Sequence, residues 1–156
     1  MNEKQQTPEN FRRFWRNLVL YWLSKNGFEC ARVDHTGIDL IARNPKTKEL
    51  AGISVKSRTR KHGTETEGIY IDNDEFEKVQ KACKAFGCIP YYALVADLEI
   101  QNKIWVFILS MKKILSLYEK GKNVLSWKMT PKLIESYKND KDIKMIVFSY
   151  TTLQWW

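Results

Sequence analysis

Apolar residues recur at helical spacing near the start of the chain. Phe11, Phe14, Trp15, Leu18 and Trp22 fall on one stripe, Val19 and Leu23 widen it, and Asn26-Gly27 ends it. Upstream, Thr7-Pro8-Glu9 offers a capping hydroxyl, a proline suited to the first helical position and an acid for the first turn. The pattern predicts a helix whose aromatic face packs on a sheet. Arg12, Arg13 and Arg16 fall on its other side, either as solvated charge or as contacts to phosphate.

The period then shortens to two. Phe28 to Val33, Ile38 to Arg43 and Leu50 to Lys56 read as three strands, joined by Asp34-His35-Thr36-Gly37 and Asn44-Pro45-Lys46-Thr47-Lys48 as turns. Alternation puts Ile53 and Val55 on one face of the third strand and Ser54 and Lys56 together on the other. Ser57 to Glu67 is polar and cationic and predicts a loop. Gly68 to Ile71 predicts a short strand, and Asp72-Asn73-Asp74-Glu75 a helix cap before the stripe Phe76, Val79, Cys83, Phe86, which Gly87 stops. Cys88 to Ala96 and Ile104 to Leu109 predict a hairpin. Helices near Met111 to Lys120 and Pro131 to Tyr137, a short strand near Val124 and a last strand from Ile143 to Tyr150 complete the order. Trp155 and Trp156 are expected to fold back onto the core.

Composition narrows the class. At 156 residues the chain fits one domain, 1–156, able to hide roughly 70% of its extended surface. Apolar and charged fractions of 44% and 28% are ordinary, but a net charge of +8 favours partners dense in negative charge, nucleic acid first. Cys30, Cys83 and Cys88 form no CxxC pair, which fits free thiols in a reducing compartment. No signal-peptide pattern and no apolar run of membrane-spanning length occur, so the expected location is the cytoplasm, without a membrane partner.

Taken together, Gly-Ile-Asp (37–39) and Ile-Ser-Val-Lys (53–56) on a β-meander, then Ile-Tyr-Ile (69–71), an amphipathic helix ending Ala-Phe-Gly-Cys-Ile-Pro (85–90) and the strand Tyr-Tyr-Ala-Leu-Val (91–95), resemble the PD-(D/E)XK nuclease superfamily. The closest likeness is to archaeal Holliday-junction resolvases, over residues 11–109. The resemblance implies an α/β fold, a restriction-endonuclease-like αβββαβ core with a mixed central sheet, plus C-terminal helical and strand additions. It further implies Mg²⁺ held by carboxylates, a lysine that helps position the attacking water, and a homodimer acting on DNA. By position, Asp39 matches the first strand acid and metal ligand, and Lys56 the motif lysine.

Two positions depart from the family pattern. Ser54 stands where the family has an acid two residues before the lysine, and Arg16 falls at the place of the helical glutamate. Three carboxylates and one ammonium, a formal −2, become Asp39, Lys56 and Arg16, a formal +1. Unit charges ~4 Å apart interact by about 4 kcal/mol at an effective dielectric near 20, so this change disfavours Mg²⁺ and favours an Arg16–Asp39 ion pair or a phosphate site.

Relocated acids could restore a metal site. Glu67 is the foremost candidate, with Glu29, Asp34 and Glu65 as further ones, and His35 beside Asp34 is an acid/base candidate. Three functions are therefore open. The leading one is a nucleic-acid binding protein, DNA foremost, of nuclease-like fold, contacting phosphate through Arg12, Arg13, Arg58, Arg60, Lys61 and His62. The others are a Mg²⁺-dependent endonuclease using relocated acids and a non-catalytic protein-interaction module.

Overall fold

In the computed structural model of the chain the described residues are 9–60, 63 and 67–154, without the side chains of Asp34 and Arg60. Thr7 and Pro8 therefore lie outside the described residues, as do Lys61, His62, Glu65, Trp155 and Trp156. Helix α1 (Glu9–Lys25) leads into an antiparallel meander of β1 (Glu29–His35), β2 (Ile38–Arg43) and β3 (Leu50–Arg60). The chain then crosses over through β4 (Ile69–Asp72) and α2 (Asn73–Phe86) to β5 (Ile89–Leu98), parallel to β3. After a 3₁₀ turn come β6 (Lys103–Ser110), α3 (Met111–Leu117), β7 (Val124–Trp127), α4 (Pro131–Lys138) and β8 (Lys144–Ser149). The main sheet is six-stranded in the order β1-β2-β3-β5-β6-β8, mixed because β3–β5 alone is parallel, and β4 pairs with β7 in a second, two-stranded sheet.

Each face of the main sheet carries a core. On one, Trp15, Val19 and Leu23 of α1 cover Leu40, Ile53 and Val95. On the other, α2, α3, α4 and the small sheet enclose Phe76, Tyr92, Phe107, Trp127 and Tyr137. Trp127 stacks on Tyr137 with ring centroids 4.2 Å apart. The helix-ending signal at Gly87 is realised with φ +66° and a bond from the Cys88 amide to the Cys83 carbonyl, which turns the chain back into β5.

Several details differ from the sequence expectation, among them Phe86 of the expected α2 stripe, which is 44% exposed, His35, which belongs to β1 rather than the turn, and α3, which ends at Leu117 rather than Lys120. Phe11 and Phe14 are each 51% exposed, because the buried line of α1 begins only at Trp15 and its first turns run beyond the covered sheet. Ser57 to Arg60 is strand rather than loop, because β5 offers a ladder partner as far as Arg60↔Leu98. Asp72 makes no side-chain cap; the first amide of α2 is met instead by the Asn123 carbonyl at 2.9 Å.

One irregularity positions the candidate site. The β2–β3 ladder runs from Arg43↔Leu50 to Leu40↔Ile53 and stops, whereas β3 continues beside β5 to Arg60. Ile38 and Leu40 are buried in opposite cores although they are two residues apart, so the alternation of β2 breaks at Asp39. From Ser54 onward β3 has a strand neighbour on one side only among the described residues, and a cleft opens at that edge.

The tyrosines of the core set an alkaline limit to stability. Burial pushes the Tyr91 phenol up to about 12, assisted by the hydrogen bond it donates to Glu49 and by that carboxylate's charge. Burial likewise raises Tyr92 and Tyr137. An unfolded phenol titrates near 10, so between about pH 10 and 12 the unfolded chain releases protons that the folded chain keeps, and stability falls as pH rises. Denaturant unfolding at pH 9 and pH 11 is expected to show a lower midpoint at pH 11, and Tyr91→Phe is expected to shrink the difference.

Candidate functional site

The cleft has a volume of about 400 Å³ and is bounded by α1, the β1–β2 turn, β3 and the start of α2. At its centre Asp39, 20% exposed, uses both carboxylate oxygens. Oδ1 lies 3.0 Å from Arg16 Nε, and Oδ2 accepts the Val55 backbone N–H at 2.7 Å. The second bond follows from the ladder break, since Asp39 gives Val55 the acceptor that a continued β2 would have supplied. Arg16 also lies 3.8 Å from Glu9, so its guanidinium bridges two acids.

Ser54, 3% exposed, and Lys56 occupy the same side of β3 as alternation requires. The Lys56 ammonium forms an ion pair with Glu75, which arrives from the first turn of α2. Arg12 and Lys78 also line the cleft, and among the described residues neither has an ion-pair partner. Four cations against two carboxylates leave the cleft a formal +2.

Other candidates sit elsewhere. Glu67 is outside the cleft, held 3.0 Å from Arg58 Nη2. Arg58 also donates to the Gly68 carbonyl at 3.2 Å and lies 4.9 Å from the Tyr70 ring centroid, so it is engaged on three sides. Arg13 and Glu29 are exposed and line no part of the cleft. His35 is placed by its contact with the Thr36 carbonyl at 2.8 Å and an edge contact to Phe86. Arg60, Lys61, His62, Glu65 and Asp34 have no described side chains.

Glu75 and Lys78 escape sequence reasoning. The run Asp72-Asn73-Asp74-Glu75 reads as a cap, which hides the one member turned toward β3. A usable signal exists: with Phe76, Val79 and Cys83 as the buried stripe, Glu75 and Lys78 flank it on one side at a spacing of three.

The donor set does not suit the Mg²⁺ that the motif would imply. A magnesium site needs several hard anionic oxygens free to coordinate. Here Asp39 is fully engaged, Glu75 faces Lys56, and Ser54 is a buried neutral hydroxyl. Among the described residues no group of three or more His, Cys, Asp or Glu side chains converges. The arrangement is instead suited to an anion, which Arg12 and Lys78 can meet directly.

The helix, the meander, the crossover helix and the parallel β3–β5 pair make this the restriction-endonuclease-like fold of the PD-(D/E)XK nucleases. Among the solved structures it is similar to is that of Archaeoglobus fulgidus Hjc, a Holliday junction resolvase from an archaeal hyperthermophile. The two share a TM-score of 0.55 and 20% identity, over 74% of this chain and 82% of that one. No protein-family model and no curated protein matches the chain. Among the described residues no helix is long and apolar enough to cross a membrane.

Proposed function

We propose that this protein binds the phosphate backbone of nucleic acid, DNA foremost, through the cleft at the end of the β2–β3 ladder, and does not hydrolyse it. The observation that carries the reading is the double engagement of Asp39 beside two cations, Arg12 and Lys78, that have no ion-pair partner among the described residues. Backbone oxygens would meet Arg12 and Lys78 first, and Arg16 can join them by giving up Glu9. A cytoplasmic setting accords with its three free cysteines. Because phosphate carries no base identity, binding should be nearly independent of sequence and steeply dependent on salt. Fluorescence anisotropy with a labelled duplex across a salt series tests this; affinity that barely changes between 50 and 200 mM salt would remove the reading.

The competing reading is hydrolysis aided by a divalent cation, and Glu75 against Lys56 favours it as the acid that, among the described residues, lines the cleft beside Asp39. Asp39→Asn separates the two by sign. It keeps an acceptor for the Val55 amide and releases Arg16, so backbone binding should tighten roughly threefold to tenfold, the worth of about one charge interaction at the surface. An enzyme that used Asp39 to hold metal would instead lose its cleavage of plasmid or four-way-junction substrates in Mg²⁺ or Mn²⁺. Cleavage by the parent chain, abolished in both Asp39→Asn and Glu75→Gln, would establish the enzyme.

A further inference from the structure

A second, larger concavity of about 850 Å³ lies toward the other end of α1, between its C-terminal half and β3, β5, β6 and β8. Its floor is apolar and aromatic, with Leu23, Phe28, Ala51, Ile53, Tyr91 and Ile108. Its rim is cationic: Lys46 from the β2–β3 turn, Lys112 and Lys113 from α3, Lys141 from the turn before β8, and Lys144 from β8 itself. Five lysines from three separate segments thus converge on one opening.

The acids nearby are already committed. Glu49 accepts the Tyr91 hydroxyl at 2.6 Å, and Asp142 lies 3.7 Å from Lys113, whose ammonium is 2.7 Å from Asp140. Among the described residues no carboxylate lies within 4.0 Å of the ammonium groups of Lys46, Lys112, Lys141 and Lys144. Lys144 Nζ stands 5.4 Å from the ring centroid of Trp22, so cationic rim and aromatic wall meet in one place. A concave apolar floor under unpaired ammonium groups calls for a ligand that has flat apolar faces and negative charges at short intervals.

We infer that this cleft binds a segment of single-stranded nucleic acid, with unstacked bases against Trp22 and Tyr91 and phosphates on the lysine rim. The inference rests on the proposed encounter with nucleic acid and adds the strand type. A duplex keeps its bases stacked inward and could reach only the rim, whereas a single strand offers base faces to the floor as well. Arg16, which lines the first cleft, and Trp22, which lines this one, are six residues apart on α1, roughly 9 Å along the helix.

The test compares a fluorescein-labelled oligothymidylate of twelve nucleotides with a labelled duplex, at one fixed salt concentration. Lys112→Glu combined with Lys144→Glu, both on exposed side chains, should weaken the single strand at least tenfold and the duplex less than threefold. Independently of any variant, oligonucleotide carrying 5-iodouracil should photocrosslink in the unaltered protein to the peptides holding Trp22 or Tyr91. Single-strand affinity equal to that of the parent, or crosslinks only at other peptides, would overturn the inference. Duplex binding and its salt dependence would then still stand for the phosphate cleft. Conversely, duplex affinity insensitive to salt alongside a lysine-dependent single-strand complex would keep this site and remove the other.

Discussion

Replacing Gly37 by alanine is expected to cost about 2 to 6 kcal/mol of stability. Gly37 turns β1 into β2 at φ +109°, a conformation L-residues rarely adopt, and strain of this kind costs on the order of 1–3 kcal/mol. The same position has no room. A Cβ there would lie 2.5 Å from the Lys78 carbonyl oxygen and 2.8 Å from its carbon, both main-chain atoms of α2. The helix cannot yield cheaply, since its neighbouring Val79 is fully buried in the core. Forced repacking of that kind adds roughly 1–3 kcal/mol. Denaturant unfolding of Gly37→Ala reads the sum; a loss below ~1 kcal/mol would show that the turn can move away from α2. Because Gly37 and Lys78 line the same cleft, the substitution should also weaken nucleic-acid binding.

The largest functional effect is expected from removing Arg16 and Lys56 together. Each alanine deletes a cation and strips the partner from a carboxylate, Asp39 in one case and Glu75 in the other. The cleft then falls from a formal +2 to neutral, with two unpaired acids facing the approaching phosphate. Duplex affinity near physiological salt should drop on the order of 100-fold, and the slope of log K against log salt should flatten by up to about 2, as the cleft loses two positive charges. Circular dichroism should be unchanged, because Asp39 retains the Val55 amide and Glu75 is 30% exposed to water. A slope equal to that of the parent protein would mean that the backbone is bound elsewhere.

The order of elements was legible because period and punctuation agree along the chain. Asn26-Gly27 and Gly87 stop their helices, and the two-residue alternation from Ile53 to Lys56 carries Ser54 and Lys56 into one cleft. Likewise, the Arg16–Asp39 contact was expected from one position that departs from the nuclease pattern, Arg16, and one that keeps it, Asp39. What the residues withheld was tertiary. Nothing local to Ser57–Arg60 announces a strand, because the partner that makes it one is some forty positions away in β5. Phe11 and Phe14 keep the helical period yet stay exposed, since period reports a face and not whether the sheet extends beneath it. Glu75 was hidden in a run of acids whose directions are fixed only when α2 docks on β3.

The interrupted β2–β3 ladder has a consequence for reading any experiment on Asp39. Its carboxylate closes a main-chain bond that the neighbouring strand leaves open, so the residue is part of the sheet's own fabric. Such an aspartate would be retained by a chain that never touched a metal ion, and its survival is a poor witness to chemistry. Alanine there would unseat β3 at the point from which Lys56 projects, and inactivity in that variant would report a collapsed strand edge as readily as a missing catalyst.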